Sequence, residues 1–488
     1  MVRDSGLGHV QFFHDLADRE PVATDQPHDL LAGLIGDGFG EKERVYFHRR
    51  LSMQDYIEVC LFVKRSIPRK IIPANIENSL VKFPTTSHKK LLKGKIQPKV
   101  TRLRTQVLAF TFTRLVLNTM HRMVYPFLPA FSRGLGVDLQ AVSLAVTARS
   151  ALGATGPFLA FIADHRGRKA GMLTGLALFC LGAAIVFLWP TFPGFVLTLI
   201  LTMLGKYVFD PSMQAYLGDR VPYERRGLIL AATELGWSLS FILGIPLAGF
   251  LIARQGWRSP FPPLALLGLL ALGSLNWILP KDPAPSENHA SKWHNIQSVL
   301  SYKPALVSLV MSLLMMAANE VVNLVFGVWM EDAFNLKIVA LGAASAVIGL
   351  SELGGETLSA RLTDRLGKTR AVGAGIISNS MAALILPILG YSLPGAMIGL
   401  FLFYITFEFT VVSAIPLMTE IMPQARATLM ATSVAGASLG RAFGALIATP
   451  LYSSGILGSG LAAGLLNLLS LLALIHLRRM LLAQNREV

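Results

Sequence analysis

Charge is scarce in this chain of 488 residues. Only 15% of them are Asp, Glu, Lys or Arg, whereas soluble domains carry about 25%. Cysteine is nearly absent. The two present, Cys60 and Cys180, cannot build a disulfide framework, and nothing around them has metal-ligand spacing. The first twenty residues lack an apolar core, which excludes a secretory signal peptide. No GxxxxGK[ST] loop is present to argue for ATP, and no HExxH or zinc-type Cys/His cluster appears. The sequence therefore reads as neither an enzyme nor a cofactor carrier, with no metal expected.

Apolar residues fill the gap. They make up 53% of the chain, and mean hydropathy is +0.53. The net charge of +15 is unevenly placed. Between Lys64 and Arg104 the only acid is Glu77. A basic run beside a membrane is drawn to anionic headgroups by about 1 kcal/mol per cation. The expectation is a basic cytoplasmic extension over 1–104, solvated or in contact with anionic lipid, and no nucleic-acid partner. Within 51–66 the pattern allows one amphipathic helix.

Beyond residue 106 the apolar runs are long. A bilayer core needs about 20 apolar residues per helix. Twelve spans are expected, at 107–130, 140–163, 170–190, 194–216, 228–253, 261–280, 304–330, 338–362, 371–391, 393–418, 428–451 and 457–477. Loops rich in Lys and Arg, such as Arg166 to Lys169 and Arg365 to Arg370, alternate with loops carrying only Arg133, Arg254, Arg258 and Lys337. By the positive-inside rule the rich loops and both termini are cytoplasmic. The localisation read from this is multi-pass, in a plasma or inner membrane.

The second half repeats the first at an offset of 200 residues. Asp164 and Gly167 match Asp364 and Gly367, and Gly236, Ser238, Leu239 and Gly244 match Gly436, Ser438, Leu439 and Gly444. Two parallel six-helix units with a site between them near the midplane form a known transporter architecture. The boundaries expected are an extension over 1–104, a first bundle over 105–280, a linker over 281–303, a second bundle over 304–480 and a tail over 481–488.

Over roughly residues 105–480 the chain resembles the major facilitator superfamily, an all-α membrane fold. That family's loop between helices 2 and 3 follows G-x-x-x-D-R-x-G-R-R/K. Here the positions hold Ala160, Asp164, His165, Gly167, Arg168 and Lys169, then Ala360, Asp364, Arg365, Gly367 and Lys368 in the second copy. The resemblance implies a cytoplasmic latch. Asp164 would meet the helix start near Arg426–Thr428, and Asp364 would meet the start near Gly227. A loop serving topology alone explains the cations but not the aspartates. Gly244, Ile245 and Pro246 loosely follow the family's G-P-x-x-G-G exporter pattern, with the Gly-Pro pair interrupted. Gly236, Gly244, Pro246, Gly436, Gly440, Arg441 and Gly444 are expected where the two bundles pack against each other.

Ionisable residues inside a bilayer are costly and mark function by default. Spans 3, 6, 9 and 12 hold none in their apolar cores, and the resemblance implies that these face lipid. The cavity candidates are Asn118, His121, Arg122, Tyr125, Arg149, Lys206, Asp210, Glu320, Asn323, Glu352 and Glu408. Asn118, Arg122 and Tyr125 share one helical face. Lys206 and Asp210 either contribute to the cavity or neutralise each other at i, i+4. Arg149 and Arg441 either bind or form structural ion pairs. Glu356 is read as a partner of Arg361 or Arg365. Burial raises a carboxylate pKa, so Glu320, between Asn319 and Asn323, is the preferred proton carrier. The reading is a monomeric secondary transporter for a small organic solute or drug-like amphiphile, coupled to H+ and working by alternating access. A lipid or lysolipid flippase, or a membrane sensor, is the alternative.

Overall fold

Helix follows helix wherever the apolar runs are long. The computed structural model describes residues 100–156, 167–280, 292–422 and 425–484, and residues 99–488 form one unit. The expected extension up to residue 99, the amphipathic segment and Asp164 lie outside the described residues, and 100–104 belong to the first helix. The helices are α1 (Val100–Arg122), α2 (Leu128–Leu135), α3 (Leu139–Ala151), α4 (Arg168–Leu188), α5 (Phe192–Arg220), α6 (Tyr223–Leu239), α7 (Ile245–Gln255) and α8 (Phe261–Ile278). After these come α9 (Lys292–Ser301), α10 (Lys303–Phe334), α11 (Ile338–Leu366), α12 (Lys368–Leu389), α13 (Leu393–Ile421), α14 (Arg426–Tyr452) and α15 (Ile456–Gln484). No strand occurs among the described residues.

Ten of these helical segments are long and apolar enough to cross a membrane, with α6 and α7 counting together as Ile229–Gln255. The first two expected spans are not among them: α1 has 23 residues but carries Arg104, Arg114, His121 and Arg122, and α3 has only 13. Where one helix was expected over 107–130, α1 ends at Arg122, a turn follows, and α2 begins at Leu128. Pro126 and Pro129 supply the reason: proline removes a backbone donor and breaks the ladder. The second expected span opens with α3 and a 3-10 turn, Leu152–Thr155, and its remainder lies outside the described residues.

Local chemistry sets the ends. Asp138 caps α3 by accepting from the Ala141 amide at 2.7 Å, as a short acidic side chain at an N-cap does. Gly167 and Gly367 both turn at positive φ, 97° and 83°. Only glycine adopts that region freely, so the repeated turn requires glycine at both copies. Between α6 and α7 lies a π-turn, Ser240–Gly244, directly before Pro246. The proline breaks the α-helical register there.

The repeat is visible in packing as well as in sequence. At Gly175 on α4 and Gly205 on α5, a Cβ added to either would lie 2.5 Å from the other's carbonyl oxygen, so the two backbones touch. Two hundred residues on, Gly375 on α12 lies as tightly against Thr410 on α13. Arg168 pairs with Asp219 at 3.4 Å, and the equivalent Lys368 pairs with Glu420. Large apolar side chains on α4, α8, α12 and α15 stay exposed, among them Leu188, Trp277, Ile388 and Leu465. These helices are expected spans 3, 6, 9 and 12.

Candidate functional site

The polar side chains of α1, α3, α6, α10, α11 and α14 meet where the two repeats touch. At the end of α1, Arg122 donates from Nη1 to Glu352 Oε2 of α11 at 2.9 Å and from Nη2 to Glu352 Oε1. Nη1 also reaches the Trp237 carbonyl at 3.1 Å. The guanidinium carbon lies 4.0 Å from the Trp237 ring centroid and 3.7 Å from that of Phe241. The Trp237 indole donates to Glu352 at 3.2 Å. Arg122 and Glu352 are about 95% buried, so this bidentate pair is desolvated on all sides.

One turn away sits a second group. Arg149 of α3 donates to the His121 carbonyl at 2.8 Å and to the Tyr125 hydroxyl at 3.0 Å. Glu320 of α10 is fully buried. It accepts from Asn323 at 3.4 Å, and Arg441 of α14 approaches its Oε2 to 3.8 Å. Glu320 Oε1 has no hydrogen-bond partner. Tyr404 of α13 donates to Asn323 at 2.8 Å. His121, Arg122, Tyr125, Trp237, Asn319, Asn323, Glu352, Tyr404, Phe407 and Arg441 enclose a cavity of about 10 Å³, on the order of one water molecule.

Other expected residues are committed to other partners. Lys206 and Asp210 neutralise each other at 2.5 Å. Asp210 also meets Arg114 at 3.5 Å, and Arg114 holds Glu234 at 2.5 Å. Asn118 donates from Nδ2 to the Gly236 carbonyl at 3.3 Å, and its Oδ1 has no partner. Glu408 forms no ion pair among the described residues; its Cβ packs at Gly355. Glu356 accepts from Ser238 at 3.5 Å across the repeats rather than pairing with Arg361 or Arg365. Asp364 and Arg365 are exposed. Asp364 borders a surface cavity with Lys368, Glu420 and Arg478. Lys169 donates to the Asn276 and Leu279 carbonyls at 2.6 and 2.9 Å.

The expected inter-bundle glycines need correction. Gly236 and Gly244 pack against α1, and Gly436, Gly440 and Gly444 pack against α10, each inside its own repeat. A small residue permits close approach without specifying which neighbour approaches. Pro246 and Arg441 do face the other repeat, at Gly342 and Trp237 respectively. The contacts between repeats come from other positions. Ser143 donates to the Ala445 carbonyl at 2.8 Å, and the Tyr207 and Ser438 hydroxyls lie 3.0 Å apart. Gly436 to Gly440 reads GxSxG, but it lies inside α14 and so lacks the strained turn that exposes a nucleophile.

One face is sealed. Arg133 pairs with Glu331 at 2.6 Å, and a Cβ at Gly327 would lie 2.4 Å from the Pro126 carbonyl oxygen. Toward the face of the Gly167 and Gly367 turns, polar groups are more open. Side-chain exposure is 19% at Asp210 and 38% at Glu234, against 0% for Asn118 and Glu320.

Two parallel repeats that pair span 2 with 11 and 5 with 8 around a charged cavity define a narrow class of folds. A sequence model of the Major Facilitator Superfamily matches residues 110–445. The chain belongs to the major facilitator superfamily. Among its relatives is the uncharacterized MFS-type transporter YceJ of Bacillus subtilis, 27% identical over 70% of this chain and 87% of YceJ. YwfA, an uncharacterized MFS-type transporter of the same organism, is 30% identical over 32% of this chain, and the match spans 38% of YwfA. The inner membrane transport protein YdhP of Escherichia coli is 26% identical over 49% of this chain and 61% of YdhP. Solved structures share the superfamily fold. A POT family transporter in complex with a thioalcohol conjugated peptide superposes at TM-score 0.66 and 12% identity, covering 78% of this chain and 96% of that one. A D-xylose-proton symporter superposes at 0.62 and 17%, covering 75% and 96%.

Sequence reasoning missed Arg114, Trp237 and Tyr404. Arg114 was legible as a cation within span 1. Trp237 lies in the repeated GWSLSF stretch, but its place between four basic side chains is a tertiary fact.

Proposed function

We propose that this superfamily member is a secondary transporter that exposes the cavity between its repeats to each side in turn, carrying a small organic solute or amphiphile together with a proton. The observation that carries the reading is Glu320. It is a fully buried carboxylate at the repeat boundary, with a long ion pair and one oxygen unpartnered. Buried acids with perturbed environments mark proton sites. Arg441 from α14, Arg149 from α3, Tyr125 from the turn after α1, and Asn323 and Tyr404 from α10 and α13 surround it. Losing the Glu320 charge removes its attraction across the repeat boundary to Arg149 of α3, and loosens Arg441 beside it, which links protonation to opening.

The rest of the proposal follows the positive-inside pattern. Twelve spans place both termini and the Gly167 and Gly367 turns in the cytoplasm, with the Arg133 face outside. The described conformer is then sealed outside. Asp164 serves as the latch for the opposite, outward-facing state. The transporter works as a monomer, and its basic extension rests on anionic headgroups.

The test is solute-driven proton movement in proteoliposomes. Glu320→Gln should abolish the pH dependence of transport while the protein stays folded. An unaltered pH profile would remove Glu320 from coupling.

A further inference from the structure

The cations around the cavity differ in how far they are committed. Arg122 is saturated by Glu352, a carbonyl and two rings. Lys206 is held by Asp210. Arg149 donates from both terminal nitrogens, to a carbonyl and a phenol, with only its Nε unpartnered. Arg441 is different. Its five N–H donors make no hydrogen bond among the described residues, and its one ion pair, to Glu320, is 3.8 Å long. Arg441 lines the cavity, and its side chain is 20% exposed.

Beside it Asn319, 3% exposed, lines the same cavity with its Nδ2 unpartnered. Two converging donor groups therefore lack acceptors. Arg441 also lacks a close counter-ion: Glu320 stands 3.8 Å away, and Glu408 lies within electrostatic reach without pairing. The missing partner is a group with two acceptor oxygens and one negative charge. A planar guanidinium fork matches a carboxylate in that way. The remaining wall is aromatic, from Trp237, Tyr404 and Phe407.

We infer that the transported solute is an organic monoanion whose carboxylate docks between Arg441 and Asn319 once the repeats part and the water-sized cavity widens, its apolar body then lying against Trp237, Tyr404 and Phe407. This rests on the transporter reading above and names its substrate class. A cationic amphiphile would meet the Arg441 donors with nothing to offer them.

Three matched probes test it: indole-3-acetate, indole-3-acetamide and tryptamine, titrated into the full-length protein in detergent. The acetate should bind about tenfold or more tightly than either the amide or the amine, the scale of a charge-assisted pair. Arg441→Gln should erase that preference and Arg441→Lys should keep part of it. If Arg441→Gln fails to fold, Asn319→Asp carries the test, because its like charge should weaken the acetate alone. Tighter binding of tryptamine, acetate binding indifferent to both variants, or binding of none of the three overturns the inference. Flux of labelled indole-3-acetate in proteoliposomes separates the two readings. Arg441-dependent binding without flux refutes the transporter and keeps the anion site. Flux of tryptamine instead keeps the transporter and refutes the anion site.

Discussion

Replacing Glu352 with methionine strips the counter-ion from Arg122 and leaves the cation in place. Both side chains are about 95% buried, so solvent cannot screen the loss. What remains for Arg122 is the Trp237 carbonyl and the faces of Trp237 and Phe241. Desolvated cation–π contacts contribute roughly 2 kcal/mol, less than a buried charge needs. Breaking one side of a buried pair costs about 3–5 kcal/mol, and Glu352→Met should lose that much. Arg122→Met should lose a similar amount, because Glu352 keeps only the Trp237 indole at 3.2 Å. The double variant replaces a buried ion pair with apolar side chains, a change that is often close to neutral. It should therefore be more stable than either single variant. The assay is equilibrium unfolding of the purified protein in mixed micelles, analysed as a double-mutant cycle. Single losses below about 1 kcal/mol, or a double loss equal to the sum, would refute the view that this pair joins the repeats in a dry environment.

Two further outcomes follow from the sealed face. Gly327→Ala places a methyl group 2.4 Å from a backbone oxygen of Pro126, which cannot rotate away. Stability should fall by about 1–3 kcal/mol, and thiol reagents should reach the cavity more readily from the Arg133 side; unchanged melting and labelling would contradict the packing. Arg133→Ala breaks a pair whose arginine is 58% exposed, so unfolding should shift by less than about 1 kcal/mol, and a loss several times larger would show that the pair is desolvated.

Much of the scaffold was legible in the sequence because the bilayer imposes it. Helix α5 runs over Phe192–Arg220 and α13 over Leu393–Ile421, within four residues of the apolar spans at 194–216 and 393–418. The repeated Gly167 and Gly367 turns were legible because only glycine takes positive φ freely. The break after Arg122 was harder to see, because proline is common in membrane helices and does not always end them. At the site, sequence located the charges but not their partners. Arg122 and Glu352 are 230 residues apart, and no periodicity relates them. Lys206 and Asp210 were readable as a pair because four residues make one helical turn. Arg114, their third member, comes from another helix. Gly236 and Gly444 were recognised as packing positions, but a missing side chain carries no information about which helix fills the space.

The central claim, that the cavity at the repeat boundary opens to both sides, is tested most directly by thiol accessibility. Cys60 and Cys180 are replaced by alanine and Asn319→Cys is introduced in the cavity wall. A membrane-impermeant thiol reagent is then applied to oriented vesicles from each side in turn. The account predicts labelling from both sides, faster from the face of the Gly167 and Gly367 turns. Labelling from one side alone under every condition would contradict it.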